Sequence, residues 1–203
     1  MYTSIISFFS SLWGGFDSDQ ERRKFFLLSV LFGLILGVYW LLRPLKDGVF
    51  LTMVGSSYLG RVKLLSIFVV VPLVLIVTKL VDLFPRDRIL YGISIIYAII
   101  SVGFAILIMH PKIGIANTVE SSDRYLGWAF YLFVETIGSV LVTFFWSFVS
   151  DITTPESAKR GYPLVILGAQ FGTVFFPLMG EQIVKFFGSG IAVGCGAGAF
   201  LFI

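Results

Sequence analysis

The sequence predicts an all-α membrane protein, a bundle of about six transmembrane helices. Of its 203 residues, 57% are hydrophobic and only 13% are charged, against roughly 25% charged in an ordinary soluble domain. The mean hydropathy is +0.95, and a soluble fold that apolar would have no polar surface to turn toward water. The apolar residues are also gathered into runs near the ~20 residues that a helix needs to cross the hydrocarbon core. The 22 phenylalanines suit lipid-facing helices better than a compact core. A net charge of +3, scattered along the chain, indicates no nucleic-acid partner. The single cysteine, Cys195, excludes an intramolecular disulfide.

Residues 1–21 form an N-terminal segment, and residues 22–203 the expected six-helix unit. Within the first, Ile5, Ile6, Phe8, Phe9, Leu12 and Trp13 recur at helical spacing. That suits either a short helix lying on the membrane surface or a tail with a few apolar side chains. Met1–Gly15 lacks a basic leader, and Arg22-Arg23-Lys24 follows its apolar residues, so no cleavable signal is expected.

Six runs follow. Phe25–Leu42 has 18 residues without a charge, and Leu64–Thr78 is shorter, reaching spanning length if Lys79 snorkels. Ile89–Met109 has 21 uncharged residues, Leu126–Ser150 has 25 broken only by Glu135, and Gly161–Gly180 has 20. Phe186–Ile203 supplies 18 more, and its closing Ala199-Phe200-Leu201-Phe202-Ile203 reads as mid-helix, so the chain is expected to be the front half of something longer. Gly190, Gly194 and Gly198 form a small-residue stripe expected to pack closely on a neighbour, with Cys195 inside that packing. His110 is expected at the interface.

Basic residues flanking spans favour the cytoplasm. The side of the N-terminus carries eight, the opposite side seven. The balance becomes eight against three, and the N-terminus cytoplasmic, if the four basic residues within Arg43–Lys63 lie inside the protein.

Charges at membrane depth are costly and usually face a bundle interior or an aqueous cavity. Three places break the hydropathy. Leu42-Arg43-Pro44-Leu45-Lys46-Asp47 either continues the first helix, with Pro44 kinking it and turning Arg43 and Lys46 inward, or forms an exterior loop. Arg61-Val62-Lys63 opens a span too short without it; a start near Tyr58 sets Lys63 more than one turn inside, and interfacial snorkelling is the alternative. Glu135 lies about ten residues into the fourth span, where a carboxylate needs a buried cation or a proton. No Gly-x-x-x-x-Gly-Lys-Ser/Thr phosphate loop, Cys/His metal cluster or serine nucleophile elbow occurs.

Four segments carry a family resemblance: Arg43-Pro44-Leu45-Lys46-Asp47, Val134-Glu135-Thr136-Ile137-Gly138-Ser139, Phe145-Trp146-Ser147-Phe148, and above all the stretch Asp151-Ile152-Thr153-Thr154-Pro155-Glu156-Ser157-Ala158-Lys159-Arg160-Gly161-Tyr162-Pro163-Leu164. From about Arg23 onward the chain resembles the ATP/ADP translocases of plastids and obligate intracellular bacteria. The resemblance implies one half of a twelve-helix transporter with a major-facilitator-like fold, and a loop over Lys79–Arg88 similar to a facilitator hinge. It implies transport roles for Lys46, for Lys63 (with a preceding stretch about two residues shorter) and for Glu135. The family commonly has Leu-Gly-Ala-Asn where this chain has Leu167-Gly168-Ala169-Gln170, and Phe-Ala-Asn where Val149-Ser150-Asp151 stands. Both departures bear on substrate choice.

The expected function is ATP/ADP exchange by alternating access, not enzymatic and without a cofactor. Lys46, Lys63, Glu135, Arg43 and Gln170 are the candidate substrate-binding residues. The expected partners are a nucleotide, the lipid bilayer and the C-terminal half of the same transporter, in a bacterial inner membrane. Cations in a low-dielectric cavity suit a polyanionic phosphate tail. Two alternatives stand beside this: a proton-coupled importer of nucleotides or another organic anion, with Glu135 as the proton site, and a non-transporting scaffold.

Overall fold

The computed structural model describes residues 16–83 and 86–203, with side chains outside 80–87. The surface helix expected over Ile5–Trp13 lies outside the described residues. Every regular element among them is helical: α1 (Asp19–Met53), a 3-10 turn (Ser56–Tyr58), α2 (Leu59–Leu83), α3 (Arg86–Met109), α4 (Tyr125–Ile152), α5 (Pro155–Phe187) and α6 (Ser189–Phe200).

Helix α1 begins where Ser18 accepts a hydrogen bond from the Glu21 amide at 3.1 Å, with Asp19 and Glu21 in the first turn. Its 35 residues make a rod of about 52 Å, much longer than the ~30 Å hydrocarbon core. Arg43–Asp47 is therefore helix and not a loop. The buried stripe Phe25, Leu28, Phe32, Ile35, Val38, Leu42, Lys46, Val49, Met53 recurs every three or four residues, so helical phase carries Lys46 into the bundle. The helix closes as Val54 and Gly55, whose φ is +98°, both bond back to the Phe50 carbonyl.

Five described helices are long and apolar enough to span a membrane. The sixth run, expected over Phe186–Ile203, is present as a shorter apolar helix, Ser189–Phe200. Helix α5 continues through Phe187, Gly188 turns the backbone at φ +86°, and only twelve residues remain in α6. Twelve residues reach about 18 Å. The run is apolar enough to span, but a glycine divides it.

Helix α1 is the hub, packed on α5, α4 and α6, while α3 holds α6 and α2 leans on α4. The α1–α5 seam is parallel and small-sided. A Cβ on Gly161 would meet Phe25, on Gly168 Ser29, on Gly172 the Gly33 carbonyl, on Gly37 Phe176 and on Gly180 Leu41. Ser29 Oγ donates across it to the Leu164 carbonyl at 2.8 Å. Lipid is as apolar as leucine, so helices in a bilayer associate through such close van der Waals contact and interhelical hydrogen bonds. The stripe expected in α6 plays this part incompletely: Gly190 abuts Met109, Gly194 only touches Ala105, and Gly198 faces open space. Cys195 is exposed, not packed. His110 is exposed where α3 ends.

On the side opposite the N-terminus, Arg124 organises the α3–α4 loop. Its guanidinium donates to the carbonyls of Ile113, Gly114, Asn117 and Val119 at 2.6–3.2 Å. Ser121 N–H donates to the Met53 carbonyl at 3.0 Å, pinning this loop to the end of α1.

Exposed faces are strongly apolar. On α2, Leu64, Ile67, Phe68, Val71, Leu75 and Ile76 are all uncovered. In water a face of that size would be an aggregation liability; in a bilayer it is solvated by acyl chains.

Candidate functional site

Helices α1 and α4 meet at Lys46. Only 2% of this residue is exposed, and its ammonium has three neighbours. Glu135 Oε1 from α4 lies at 3.0 Å and Asp47 Oδ1 at 2.8 Å. The Tyr131 ring lies with its centroid 3.8 Å away. Tyr131 and Glu135 are four residues apart on α4 and so share one face. Glu135 stands ten residues into α4, about 15 Å along it, well inside the hydrocarbon depth. With all three groups ionised, one cation faces two carboxylates and the cluster carries a net charge of −1. Tyr39, two turns before Lys46, wedges its ring into the space left by Gly138 of α4.

The other candidates stand apart from this pair. Arg43 is exposed rather than turned inward, its guanidinium over Trp40 at 4.9 Å and Tyr39 at 5.8 Å. Proline at 44 leaves the helix intact, so Arg43 keeps its helical phase beside the buried stripe. Lys63, the fifth residue of α2, is exposed. Gln170 is exposed on α5. Of the four basic residues whose burial would tip the charge balance, only Lys46 is buried; Arg43, Arg61 and Lys63 are exposed.

Asp47 and Tyr131 were not among the candidates. The signal for Tyr131 was available, an aromatic one turn before a carboxylate at membrane depth; Asp47 needed the side-chain geometry. Among the described residues no group of three or more His, Cys, Asp or Glu gathers to hold a metal ion.

The distinctive stretch Asp151–Leu164 builds the junction between α4 and α5 on the N-terminal side. Thr154 caps α5 by accepting from the Ser157 amide, and Pro155 fills the first position, where no N–H is needed. Arg160 pairs with Glu21 at 3.1 Å and with Asp17. Ser157 Oγ donates to the same Glu21 carboxylate, and Lys24 Nζ to the Ile152 carbonyl. These groups clasp the start of α1 to the α4–α5 turn.

Five spanning helices around a charged pair at membrane depth define a multi-pass integral membrane protein with a polar site inside its bundle. Residues 4–191 match the TLC ATP/ADP transporter family, and the chain belongs to it. It is 31% identical over 190 residues to the Plastidic ATP/ADP-transporter of Solanum tuberosum, covering 82% of this chain and 29% of that protein. It is 30% identical over 175 residues to ADP,ATP carrier protein 4 of Rickettsia typhi, covering 75% and 34%. With ADP,ATP carrier protein 2, chloroplastic, of Arabidopsis thaliana, identity is 30% over 188 residues, covering 81% and 29%. The chain thus spans about a third of the length of these relatives. No solved structure matches it.

Proposed function

We propose that this chain is the N-terminal half of a nucleotide transporter that exchanges ATP for ADP by alternating access, and that it acts as a carrier rather than an enzyme. The observation that carries the reading is the Lys46–Glu135 pair, a desolvated cation with replaceable carboxylate partners inside a bundle of this family. Its relatives bear the names of ATP/ADP transporters and ADP,ATP carriers. A nucleotide's phosphates would take the positions of the carboxylate oxygens around Lys46. No hydrolysis is involved.

A second six-helix half, completing a twelve-helix facilitator-like fold, would cover the faces that bear Arg43, Lys63 and Gln170. Those three would then line a shared cavity near mid-membrane, as in transporters built from repeats. In an empty cavity Lys46 keeps its carboxylate partners, whereas Arg43 and Lys63 would face it without cargo, which is unfavourable and favours exchange over empty return. The N-terminus is cytoplasmic in this reading, with eight basic residues on that side against six once Lys46 is set inside. The membrane in this reading is a bacterial inner membrane, although the relatives come from plants as well as from Rickettsia.

The test is uptake of labelled ATP by liposomes containing the full-length protein. Exchange requires ADP inside; equal uptake by empty liposomes would overturn it. Uptake driven by an imposed pH gradient would replace exchange with proton coupling, and no uptake at all would leave only a scaffold.

A further inference from the structure

We propose that Tyr131 is a positioning residue of the nucleotide site, its ring face holding the Lys46 ammonium in place while the anionic partners change. This rests on the reading of Lys46 as a phosphate-binding residue. The neighbours of Lys46 differ in what they can do when a polyanion arrives. Glu135 and Asp47 are anions that take two of the ammonium's three donors, and the Tyr131 ring lies against it as well, so phosphate oxygens that bind it with more than one contact displace a carboxylate. The Tyr131 ring has no net charge and attracts the ammonium through its quadrupole, an interaction that strengthens when the pair is desolvated. With Lys46 and Tyr131 exposed by only 2% and 1%, that condition is met. The ring can therefore stay while the carboxylates leave.

The ring is itself fixed. It stands edge-to-face on Phe50 at 5.4 Å, and Phe50 stands edge-to-face on Trp128 at 5.2 Å. Trp128 Nε1 donates to the Ser122 carbonyl at 3.1 Å, inside the loop that Arg124 organises. A lysine has a flexible four-carbon stem whose freedom is lost on binding. A rigid aromatic floor removes much of that freedom before the substrate enters, so it improves affinity by preorganisation. Glu135 lies one turn along on the same face of α4, so the floor and the exchangeable anion are presented together.

The experiment uses the full-length protein in ADP-loaded liposomes, with KM and maximal rate for ATP uptake and thermal unfolding measured for each variant. Tyr131→Phe keeps the ring and should keep KM within about twofold. Tyr131→Leu should raise KM roughly tenfold with the maximal rate little changed. Replacing Tyr131 by pentafluorophenylalanine keeps the ring's shape while reversing its quadrupole. It should raise KM like leucine without a loss of thermal stability, and it decides the matter if the leucine variant does not fold. An unchanged KM in the fluorinated variant, or a phenylalanine variant as impaired as leucine, overturns the proposal. Lys46→Ala separates the two readings. If it abolishes uptake while Tyr131 variants change nothing, only the role of Tyr131 falls; if it leaves uptake intact, the assignment of Lys46 to phosphate falls.

Discussion

Glu135→Gln preserves the outline of the side chain and removes one of the two negative partners of Lys46. The contact is 3.0 Å long, with the lysine side chain 3% and the glutamate side chain 26% exposed. At an effective dielectric constant near 20, unit charges about 4 Å apart attract by roughly 4 kcal/mol. Much of this is offset. Asp47 remains 2.8 Å from the ammonium, the glutamine oxygen still accepts a hydrogen bond, and the exposed part of Glu135 is screened. A net change of about 1.4 kcal/mol, tenfold in an equilibrium constant, is the expected size. Its sign follows from competition: Glu135 and phosphate want the same ammonium, so removing Glu135 should tighten ATP and ADP binding roughly tenfold. Turnover should slow, because the group that helps to release the nucleotide is gone. Binding to detergent-solubilised protein and ADP-loaded liposome exchange measure the two effects. As a counterion, Glu135 leaves exchange indifferent to a proton gradient in wild type and variant alike. An unchanged affinity, or wild-type exchange that climbs steeply with an imposed pH gradient and a glutamine variant that loses that response, refutes the reasoning.

Lys46→Ala and Lys63→Ala should reduce nucleotide uptake far more than Lys112→Ala, whose position lies in the α3–α4 loop; equal uptake by all three removes the cavity assignment. Gly172→Ala sets a methyl group against the Gly33 carbonyl, backbone on backbone, and should cost about 1–3 kcal/mol as overpacking. Gly103→Ala meets nothing within 4 Å and serves as the control, so equal unfolding temperatures would remove the close-packed seam. Arg124→Lys replaces a fork serving four carbonyls with a compact ammonium. It should make the loop over residues 110–124 more sensitive to limited proteolysis, and an unaltered cleavage rate contradicts its organising role.

The bundle was legible because the bilayer imposes a length and a hydropathy on each span, and both are read from composition alone. The run over α1 also announced its continuation, since eighteen uncharged residues barely cross and the charges beyond keep helical spacing. The inward turn of Lys46 was visible in that spacing. The outward position of Arg43 was not, because three residues separate it from Lys46 and either face was compatible with a kink. The division at Gly188 escaped notice because one glycine in an apolar run is common within membrane helices. The α1–α5 seam escaped as well: its small residues come from two distant segments, and pairing them needs the parallel register of the helices. Tyr131 read as one aromatic among many until geometry set it under an ammonium.

Pro44 has no N–H to give to the carbonyl of Trp40, so α1 lacks one rung of its ladder two residues before Lys46. The part of α1 from Pro44 to Met53 is thus a short arm attached through a joint already missing a bond, whereas α4 has no proline inside it. Resistance to bending is lowest at that joint. Beyond the joint, α4 and its loop take over the bracing: Phe50 packs on Tyr131 and Trp128, and the Met53 carbonyl accepts from Ser121 N–H. The charge that meets the cargo therefore sits just past the one missing rung of its own helix and is held from there on by its neighbour.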